Sequence, residues 1–370
     1  MCGNGMNYYE RELRSLKRSG RFREREIARA DLRDFASNDY LGLAHNKELC
    51  KKACSKLSHA TLCAPKASLL VGGYHQEHYA FERALCQSNG FEDGVVVGSG
   101  FSANIAMIEA LVRKSDVLIM DASYHASGVL ASNIGRIEKE LFLHNDMAHL
   151  QKLLQKHKDK KRRIVAVEGV YSMEGDIVPK EVFELCAFYD AILIVDEAHS
   201  SGVLGKNLLG VYDHYDIEIA PNHIKMGTLG KAYGSFGAYI LASEHIISYL
   251  INRAKPLIYA TALSLYDTLV AHEALLYIQN HALELQKEIQ QRQKSVEKIL
   301  GVEMPSLILP IAIGDNKRVM QIKNELALKG FAIGAIREPT VPKAILRVIA
   351  RLGEKSVVFE TLLQELRSYL

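Results

Sequence analysis

The chain has 370 residues and a net charge of +3, with 48% hydrophobic and 24% charged residues, which is the composition of a soluble globular protein. A chain of this length can bury a large core in two domains, and its small charge does not indicate a nucleic-acid or membrane partner. No apolar run reaches the ~18 residues of a membrane-spanning helix, and the first residues lack the apolar core of a signal peptide. Six cysteines without a CxxC pair or zinc-like spacing indicate reduced thiols, a cytoplasmic protein and no metal site.

The first ~35 residues are rich in Arg and Glu, and they predict a helix and an arm rather than part of the core; Met6 is a second possible translation start. Apolar runs then alternate with helical patterns, which is typical of an α/β protein with a mostly parallel sheet. Ligands of such sheets lie beyond the C-terminal strand ends, where polar residues follow several of these runs. The predicted elements are strands at 95–97, 117–120, 164–167, 192–195 and 238–241, a helix that ends at Leu111 and a helix at 182–189.

After Pro256 the pattern changes to a second, smaller α/β unit. It predicts a long helix over about 263–300, then a strand at 307–313, a helix at 317–328, a strand at 345–349 and a terminal helix. The predicted division is therefore an N-terminal helix and arm over residues 1–45, a large domain over 46–255 and a small C-terminal domain over 256–370.

Asp196 and Lys231 are the pair of residues that most strongly indicates chemistry. The apolar run at 191–195 ends in Asp196, and Lys231 follows 35 residues later among three glycines. A carboxylate at the end of a buried strand is costly without a cationic partner, and glycines let a backbone approach a ligand closely. The pattern suits a lysine that holds an aldehyde cofactor as a Schiff base, while the aspartate keeps a pyridine nitrogen protonated. Taken singly, a turn-capping aspartate and a surface lysine are the plainer interpretations.

Other polar residues lie where they could contact the same cofactor. They are His125, Ser172, His199, Thr228 and the segment Ser99–Asn104. His125 could stack on a flat ring, and the free N–H groups at the helix start in Ser99–Asn104 could bind an anion. Each of these residues also has a plainer interpretation as a helix cap or a locally bonded loop residue.

Residues 196–199 also spell the acidic box of some nucleic-acid helicases. That interpretation requires a phosphate-binding loop of the form GxxxxGK[ST]. The nearest candidate, at 227–232, has the wrong spacing and lacks a Ser or Thr after Lys231. An ATP-driven helicase is thereby excluded.

Seven segments, taken in chain order between about Phe35 and Arg347, resemble those of the α-oxoamine synthases, a family of pyridoxal-phosphate enzymes of fold type I. The matching segments are Asn38–Leu43, Ser99–Asn104, Asp121–Ser127, Glu168–Asp176, Asp196–Gly202, Thr228–Gly234 and Pro339–Pro342. The resemblance implies a large domain with a mostly parallel sheet, a smaller C-terminal α/β domain, pyridoxal 5'-phosphate as cofactor and a homodimer whose active site lies between subunits.

The resemblance also implies a role for each matching residue around the cofactor ring. Lys231 matches the Schiff-base lysine, and Asp196 matches the partner of the pyridine nitrogen. His125 matches the histidine that stacks on the ring. His199 and Ser172 match the groups near the ring hydroxyl.

The implied phosphate site consists of Ser99, Gly100, Phe101 and Thr228, with Thr261 supplied by the second subunit. For the substrate, Arg347 matches the arginine that binds the amino-acid carboxylate, because a planar guanidinium can pair with both oxygens. The other implied substrate-binding residues are Asn38 and Arg337. Without the resemblance, Arg347 would be interpreted as a surface arginine at a strand edge.

Two segments depart from the family pattern. Residues 64–73 replace a stretch that is usually rich in glycine and serine near the entrance for the acyl thioester, so the acyl substrate stays open. The linker between Pro342 and Arg347 is about two residues shorter than the family's.

Within the family, the resemblance is strongest to the branch that serves biotin biosynthesis. It implies decarboxylative condensation of L-alanine with a pimeloyl thioester, carried by coenzyme A or by an acyl carrier protein. Sister branches that use glycine or serine share nearly every segment, so the choice of amino acid stays open. A non-catalytic partner subunit of the same fold is a further alternative, although such a chain would be expected to lose the lysine.

Overall fold

The computed structural model describes residues 8–135 and 137–370, so Cys2 and the second possible start at Met6 lie outside the described residues. The strands are β1 (Arg33–Phe35), β2 (Asp93–Val97), β3 (Val117–Asp121), β4 (Lys139–Phe142), β5 (Arg163–Glu168), β6 (Ile192–Asp196), β7 (His223–Thr228), β8 (Ala238–Ala242), β9 (Ile308–Gly314), β10 (Phe331–Ile336) and β11 (Ala344–Ile349). The α-helices are α1 (Glu10–Arg18), α2 (Lys47–His59), α3 (Gln76–Asn89), α4 (Gly100–Leu111), α5 (Ala126–Ile134), α6 (Met147–Lys156), α7 (Glu181–Phe188), α8 (Val211–His214), α9 (Glu244–Arg253), α10 (Lys255–Ile258), α11 (Leu265–Leu300), α12 (Asn316–Leu328) and α13 (Ser356–Arg367). None of these helices is long and apolar enough to cross a membrane.

A seven-stranded sheet with the order β2-β8-β7-β6-β5-β3-β4 forms the centre of the large unit. Its strands from β7 to β4 run parallel, whereas β8 is antiparallel to both of its neighbours. Successive residues of β5 pack into two different cores, with Val165 and Val167 on one face and Ile164 and Ala166 on the other. Both faces of the sheet are therefore buried, which explains why its strands are continuous apolar runs rather than alternating ones.

The polar residues that end the central strands lie next to one another. Asp121 ends β3, Glu168 ends β5 and Asp196 ends β6, and these three strands are neighbours in the sheet. Asp121 and Glu168 are each 1% exposed, and Asp196 is 4% exposed. The parallel topology therefore gathers buried acidic groups at one edge, which is the edge where open α/β sheets bind ligands.

The second sheet joins the two ends of the chain. Its order is β1-β10-β11-β9, and β1 runs parallel to β10 with Arg33 opposite Phe331. The segment that follows β1 leads directly to Asn38 and Tyr40, so the pairing of β1 fixes where these two residues lie. The boundaries of the three predicted domains stay a prediction.

The predicted strands and helices are confirmed within a few residues of their expected bounds. The sequence reasoning missed β1, β4, β7 and β10. Strand β4 reads Lys-Glu-Leu-Phe and lies at the sheet edge, so it lacks a continuous apolar run. Strand β7 contains a histidine and a lysine that are both buried. These polar residues interrupt the apolar pattern by which the other central strands were predicted.

Arg351, just after β11, connects the N-terminal segment to the C-terminal sheet. Its guanidinium lies 2.5 Å from a carboxylate oxygen of Asp34 and 2.5 Å from one of Asp39, and its Nε donates to the Asp39 carbonyl at 3.1 Å. The arginine is only 2% exposed. Because Asp39 lies between Asn38 and Tyr40, this ion pair also holds the residues that reach the active site.

We expect the substitution Arg351→Met to lower the free energy of unfolding by about 3 kcal/mol, because it leaves the largely buried carboxylate of Asp39 and the partly exposed one of Asp34 without their cation. The matched control is Arg33→Met, which removes an exposed arginine 3.9 Å from Glu354 and should change stability by no more than about 0.5 kcal/mol. Urea unfolding of both variants tests the difference. Equal effects would contradict the role given to Arg351.

Candidate active site

A cavity of about 190 Å³ lies at the carboxyl ends of the central strands, next to the start of α4. Its lining residues are Gly100, Phe101, Asn104, His125, Glu168, Asp196, Ala198, His199, Met226, Thr228 and Lys231. Seven of the residues predicted from the sequence are among them. A larger cavity of about 530 Å³ lies beside the N-terminal arm, but the buried ionisable groups gather around the smaller one.

Lys231 lies in a chain of three polar side chains. Its Nζ is 2.7 Å from Nε2 of His199, and Nδ1 of the same imidazole is 2.5 Å from the hydroxyl of Tyr40. Burial lowers the pKa of Lys231 to about 8, against the opposing effect of Asp196 and Glu168. Burial also holds the pKa of His199 well below its usual value, so the imidazole is neutral.

The protonation state of Lys231 decides which atom donates and which accepts in the two hydrogen bonds of this series. A neutral amine can accept a hydrogen from Nε2 of His199, and Tyr40 can then donate to Nδ1. Burial raises the pKa of Tyr40 to about 12, so the phenol keeps the hydrogen that it donates. Tyr40 was not among the predicted site residues, although its segment was part of the family resemblance.

Asp196 is held by two neutral donors. Its Oδ2 accepts a hydrogen bond from Nδ2 of Asn104 at 2.8 Å, and its Oδ1 accepts one from the backbone N–H of Ala198 at 2.9 Å. Asn104 in turn donates to Ser127 Oγ at 3.0 Å and accepts from the hydroxyl of Tyr124 at 2.7 Å. Sequence reasoning placed Asn104 in a matching segment but gave it no role, because its partner lies 92 residues away.

His125 precedes α5 and caps it. Its Nδ1 accepts the backbone N–H of Ser127 at 3.2 Å and lies 2.7 Å from the Ser127 hydroxyl. Because Nδ1 accepts from the backbone, the neutral ring carries its hydrogen on Nε2. Burial lowers the pKa of His125 below its ordinary value, so a neutral ring faces the cavity.

The start of α4 faces Thr228 across the cavity. Ser99 caps the helix by accepting the N–H of Ser102 at 3.1 Å, which leaves the first N–H groups of the helix without intrahelical partners. A side chain at Gly100 would place its Cβ 3.8 Å from the Cβ of Thr228. The glycine thus keeps open the space between the helix start and the threonine, which is a suitable place for a phosphate.

Arg347 is buried, at 6% exposure, rather than a surface arginine at a strand edge. Its Nε donates to the carbonyl of Ser172 at 2.6 Å, and its Nη1 donates to Oδ1 of Asn38 at 2.9 Å. Its Nη2 is one of the buried polar atoms in the described chain that lack a hydrogen-bond partner. Three predicted residues are therefore in contact here, and the Nη2 amino group of the guanidinium is free for a ligand.

Glu168 is a member of the site that sequence reasoning did not assign. One of its oxygens accepts the N–H of Ser172 at 3.2 Å, and the other has no partner among the described residues. Burial, with Asp196 adding to it, raises the pKa of Glu168 well above its usual value. A protonated carboxyl group therefore lines the cavity beside Lys231.

Two predicted residues lie away from the cavity. Thr261 is exposed and pairs with Ser68 in an isolated bridge. Arg337 lies beside the N-terminal arm, where it donates to the carbonyls of Gly20 at 2.6 Å and Phe22 at 3.4 Å. Neither residue contacts the cavity within a single chain, so their predicted roles depend on a second subunit and on a separate substrate subsite.

Comparison with known proteins shows the family to which the chain belongs. A family model described as aminotransferase class I and II matches residues 30–357. The 8-amino-7-oxononanoate synthase of Helicobacter pylori (strain J99) is 41% identical over 341 residues, which cover 92% of this chain and 91% of that protein. A protein of Aquifex aeolicus named putative 8-amino-7-oxononanoate synthase is 37% identical over 360 residues, with 94% of both chains covered.

Solved structures show the same fold. The 8-amino-7-oxononanoate synthase from Francisella tularensis superposes with a TM-score of 0.75 at 26% identity, covering 91% of this chain and 97% of the other. A Sphingomonas wittichii serine palmitoyltransferase superposes with a TM-score of 0.89 at 22% identity, covering 99% and 98%.

The fold and the site together define a pyridoxal-phosphate-dependent enzyme of fold type I. The chain belongs to the class I and II aminotransferase family, and within it to the α-oxoamine synthases, which are acyltransferases that act on an amino acid and an acyl thioester. The predicted family, fold class and cofactor are thereby confirmed.

The residues of the cavity fit this cofactor. Glu197, buried next to Asp196, has a cation in Lys225 at 3.7 Å, whereas no cation of the described chain forms a salt bridge with Asp196. A protonated pyridine nitrogen would supply that cation. The lysine with a lowered pKa suits the aldehyde carbon, and the open start of α4 suits the phosphate.

We expect Tyr40→Phe to lower the free energy of unfolding by about 1–2 kcal/mol, because it removes a buried hydrogen bond and leaves Nδ1 of His199 without a partner. At pH 9, above the pKa of Lys231, the wild-type ring should carry its hydrogen on Nε2, and the variant should show a mixture of both forms. Nitrogen-15 NMR of His199 in the cofactor-free protein measures this distribution.

The matched control is Tyr215→Phe, which removes a hydroxyl that donates to the Val178 carbonyl at 2.8 Å, away from the cavity. It should leave the His199 signals unchanged. If wild type and Tyr40→Phe gave the same His199 spectrum, that would contradict the proposal that Tyr40 donates its hydrogen to Nδ1 of His199.

Proposed function

We propose that the protein condenses L-alanine with a pimeloyl thioester, releasing carbon dioxide and the thiol carrier, to give 8-amino-7-oxononanoate for biotin biosynthesis. The observation that carries the proposal is the meeting of Lys231, Asp196, His199 and His125 around one cavity, with Arg347 buried beside it. The relatives that bear the name of this synthase, over nearly the whole length of the chain, support the choice of reaction.

Pyridoxal phosphate supplies an aldehyde carbon for attachment of amines and a ring that withdraws electrons from the substrate α-carbon. Lys231 would provide the attachment point for the aldehyde, and its neutral amine would accept the α-proton of the amino acid. A pKa of about 8 keeps an appreciable fraction of the amine neutral near neutral pH. Asp196 would keep the ring nitrogen protonated, and His125 would cover one face of the ring.

The carboxylate of the amino acid has its place at Arg347. The free Nη2 can donate to one carboxylate oxygen, and Asn38 holds Nη1 so that the guanidinium keeps its orientation. Ser172 fixes the third nitrogen through its carbonyl. His199 and Ser172 would contact the ring hydroxyl, and Ser99, Gly100, Phe101 and Thr228 would hold the phosphate.

A second subunit completes the phosphate site in this proposal. Thr261 is exposed and lies outside the cavity of its own chain. Several large apolar residues near it are also exposed, namely Leu70, Val71, Phe236 and Tyr259. A homodimer would cover this apolar surface and bring Thr261 to the phosphate of the partner subunit's site.

The far carboxylate of a pimeloyl chain has a candidate subsite beside the N-terminal arm. The cavity of about 530 Å³ there is lined by four cations, Arg21, Arg23, Lys323 and Arg337, and three carboxylates, Glu24, Glu26 and Glu338. Lys323 is 3.7 Å from Glu26, so part of the negative charge is already paired. An arginine-rich cavity suits a second carboxylate on the acyl chain.

A groove adjoins this subsite, and its lining includes the polar residues Ser123, Asn133 and Glu174. It is lined by Val129, Leu130, Met173, Val341 and Pro342, together with residues on both sides of His125. Thr340 lines both the groove and the arginine-rich cavity. The path proposed for the acyl chain runs from the cofactor past His125 and along this groove, with the far carboxylate among the arginines.

We expect Lys231→Ala to lower turnover of alanine and pimeloyl-coenzyme A by about 10⁴-fold or more, because both the attachment point and the base are lost. The control Lys206→Ala removes an exposed lysine near Asp216 and should retain wild-type turnover. Mass spectrometry of the product measures both. Substantial turnover by Lys231→Ala would contradict the assignment, and a wild type that uses glycine or serine instead of alanine would contradict the proposed amino acid.

We expect Arg337→Met to raise the KM for a pimeloyl thioester about 10-fold while changing the KM for a heptanoyl thioester less than about 2-fold, because only the first carries a far carboxylate. The control is Arg318→Met, which changes an arginine stacked on Tyr369 outside the cavity. Steady-state assays with both thioesters measure the selectivity. Equal losses for the two chains would show that Arg337 acts only by holding the arm.

A further inference from the structure

His144 lies between two carboxylates at the edge of the sheet where the active site is built. Its Nδ1 is 3.0 Å from Oδ1 of Asp121, and its Nε2 is 2.9 Å from Oδ2 of Asp176. An ionised carboxylate can only accept hydrogen bonds, so both ring nitrogens need a hydrogen. The imidazole is therefore a cation held between two anions.

The groups around His144 strengthen this arrangement. The ring packs edge-on against Tyr171, with the ring centres 4.4 Å apart. Asn145 donates its backbone N–H to Asp121 at 2.9 Å and its side-chain amide to Asp176 at 2.9 Å. The two carboxylates raise the pKa of His144 to about 10, although its burial acts in the opposite direction.

The two carboxylates belong to the two loops that carry site residues. Asp121 accepts the N–H of Ser123 at 2.8 Å, at the start of the loop that leads to His125. Asp176 ends the loop of residues 169–176, which presents the Ser172 carbonyl to Arg347. The two loops meet directly in only one side-chain hydrogen bond among the described residues, from Ser123 to Glu174 at 3.0 Å.

We propose that His144 is a positioning residue that, as a cation between Asp121 and Asp176, fixes the loop of His125 relative to the loop of Ser172 and so orients Arg347 for the amino-acid carboxylate. The connection runs from His144 through Asp176 to Ser172, whose carbonyl accepts Nε of Arg347. No contact between His144 and a ligand is required. The proposal rests on the proposed function only in taking Arg347 as the carboxylate site.

The test is the substitution His144→Gln, which keeps a hydrogen-bonding side chain but removes the charge. Titration of the cofactor-loaded protein with amino acid, followed by the visible absorbance of the cofactor, should give a dissociation constant raised about 10-fold. The amount of cofactor bound should stay the same, because Lys231 and the phosphate contacts at the start of α4 belong to neither loop. A change of less than about 2-fold would overturn the proposal.

His157→Gln is the matched control. His157 also lies between two carboxylates, 3.2 Å from Glu140 and 3.9 Å from Glu138, but at the opposite end of β4. Its substitution should leave the dissociation constant unchanged. An equal rise in both variants would show a general loss of stability rather than positioning.

Two further variants test the role of the charge, the second of them even if His144→Gln does not fold. Adding Asp176→Asn to His144→Gln removes the excess negative charge, and it should restore the dissociation constant to within about 3-fold of wild type. Asp176→Asn alone keeps the histidine and one ion pair, so it should raise the constant by about 3-fold even if His144→Gln does not fold. No change in Asp176→Asn would overturn the proposal.

The charge itself can be measured without cofactor or substrate. Nitrogen-15 NMR of the cofactor-free protein at pH 8 should show a hydrogen on both nitrogens of His144, and one bare nitrogen would overturn the proposal. Because the pKa is raised in the folded chain, the stabilisation is complete below the ordinary value of 6.5 and is lost as the pH rises through about 10. The titration uses whichever of alanine, glycine or serine the wild-type protein binds. If the proposed substrate is wrong, the wild-type titration shows it, and the comparison between wild type and variants is unaffected.

Discussion

The buried carboxylate of Asp196 is the constraint on which the rest of the site depends. A charge at the end of a fully apolar strand needs compensation, and the described residues provide only neutral hydrogen-bond donors to it, Asn104 and the N–H of Ala198. The adjacent Glu197 has its cation in Lys225. Among the described residues the Asp196 carboxylate therefore has no paired cation, and in the proposed function the protonated ring nitrogen of the cofactor would supply it.

The same poorly solvated environment sets the protonation of the other groups. Burial lowers the pKa of Lys231 and raises that of Glu168, so both shift toward their neutral forms. His199 is neutral for the same reason. An amine that attacks a carbon and then accepts a proton must be neutral. In Lys231 the neutral form is favoured by burial of the amine rather than by a dedicated base.

The sequence predicted what local patterns encode. Apolar runs marked the central strands, and the polar residues after them gave Asp196, His199 and Lys231. It could not predict partners that come from distant parts of the chain, such as Tyr40, which reaches His199 across 159 positions. The small sheet was only partly visible because its first strand, β1, is three residues long and pairs with a strand nearly 300 residues away.

That distant pairing also explains why the N-terminal segment matters for chemistry. Strand β1 and the Arg351 ion pairs anchor residues 33–39, and the chain then delivers Asn38 to Arg347 and Tyr40 to His199. One short segment thus contacts both the residue assigned to the substrate carboxylate and the chain of hydrogen bonds that ends at Lys231. Because Arg351 is buried between two carboxylates, a displacement of this segment would cost the ion pairs as well as the site contacts. The stability of the small sheet and the geometry of the active site are therefore maintained by the same interactions.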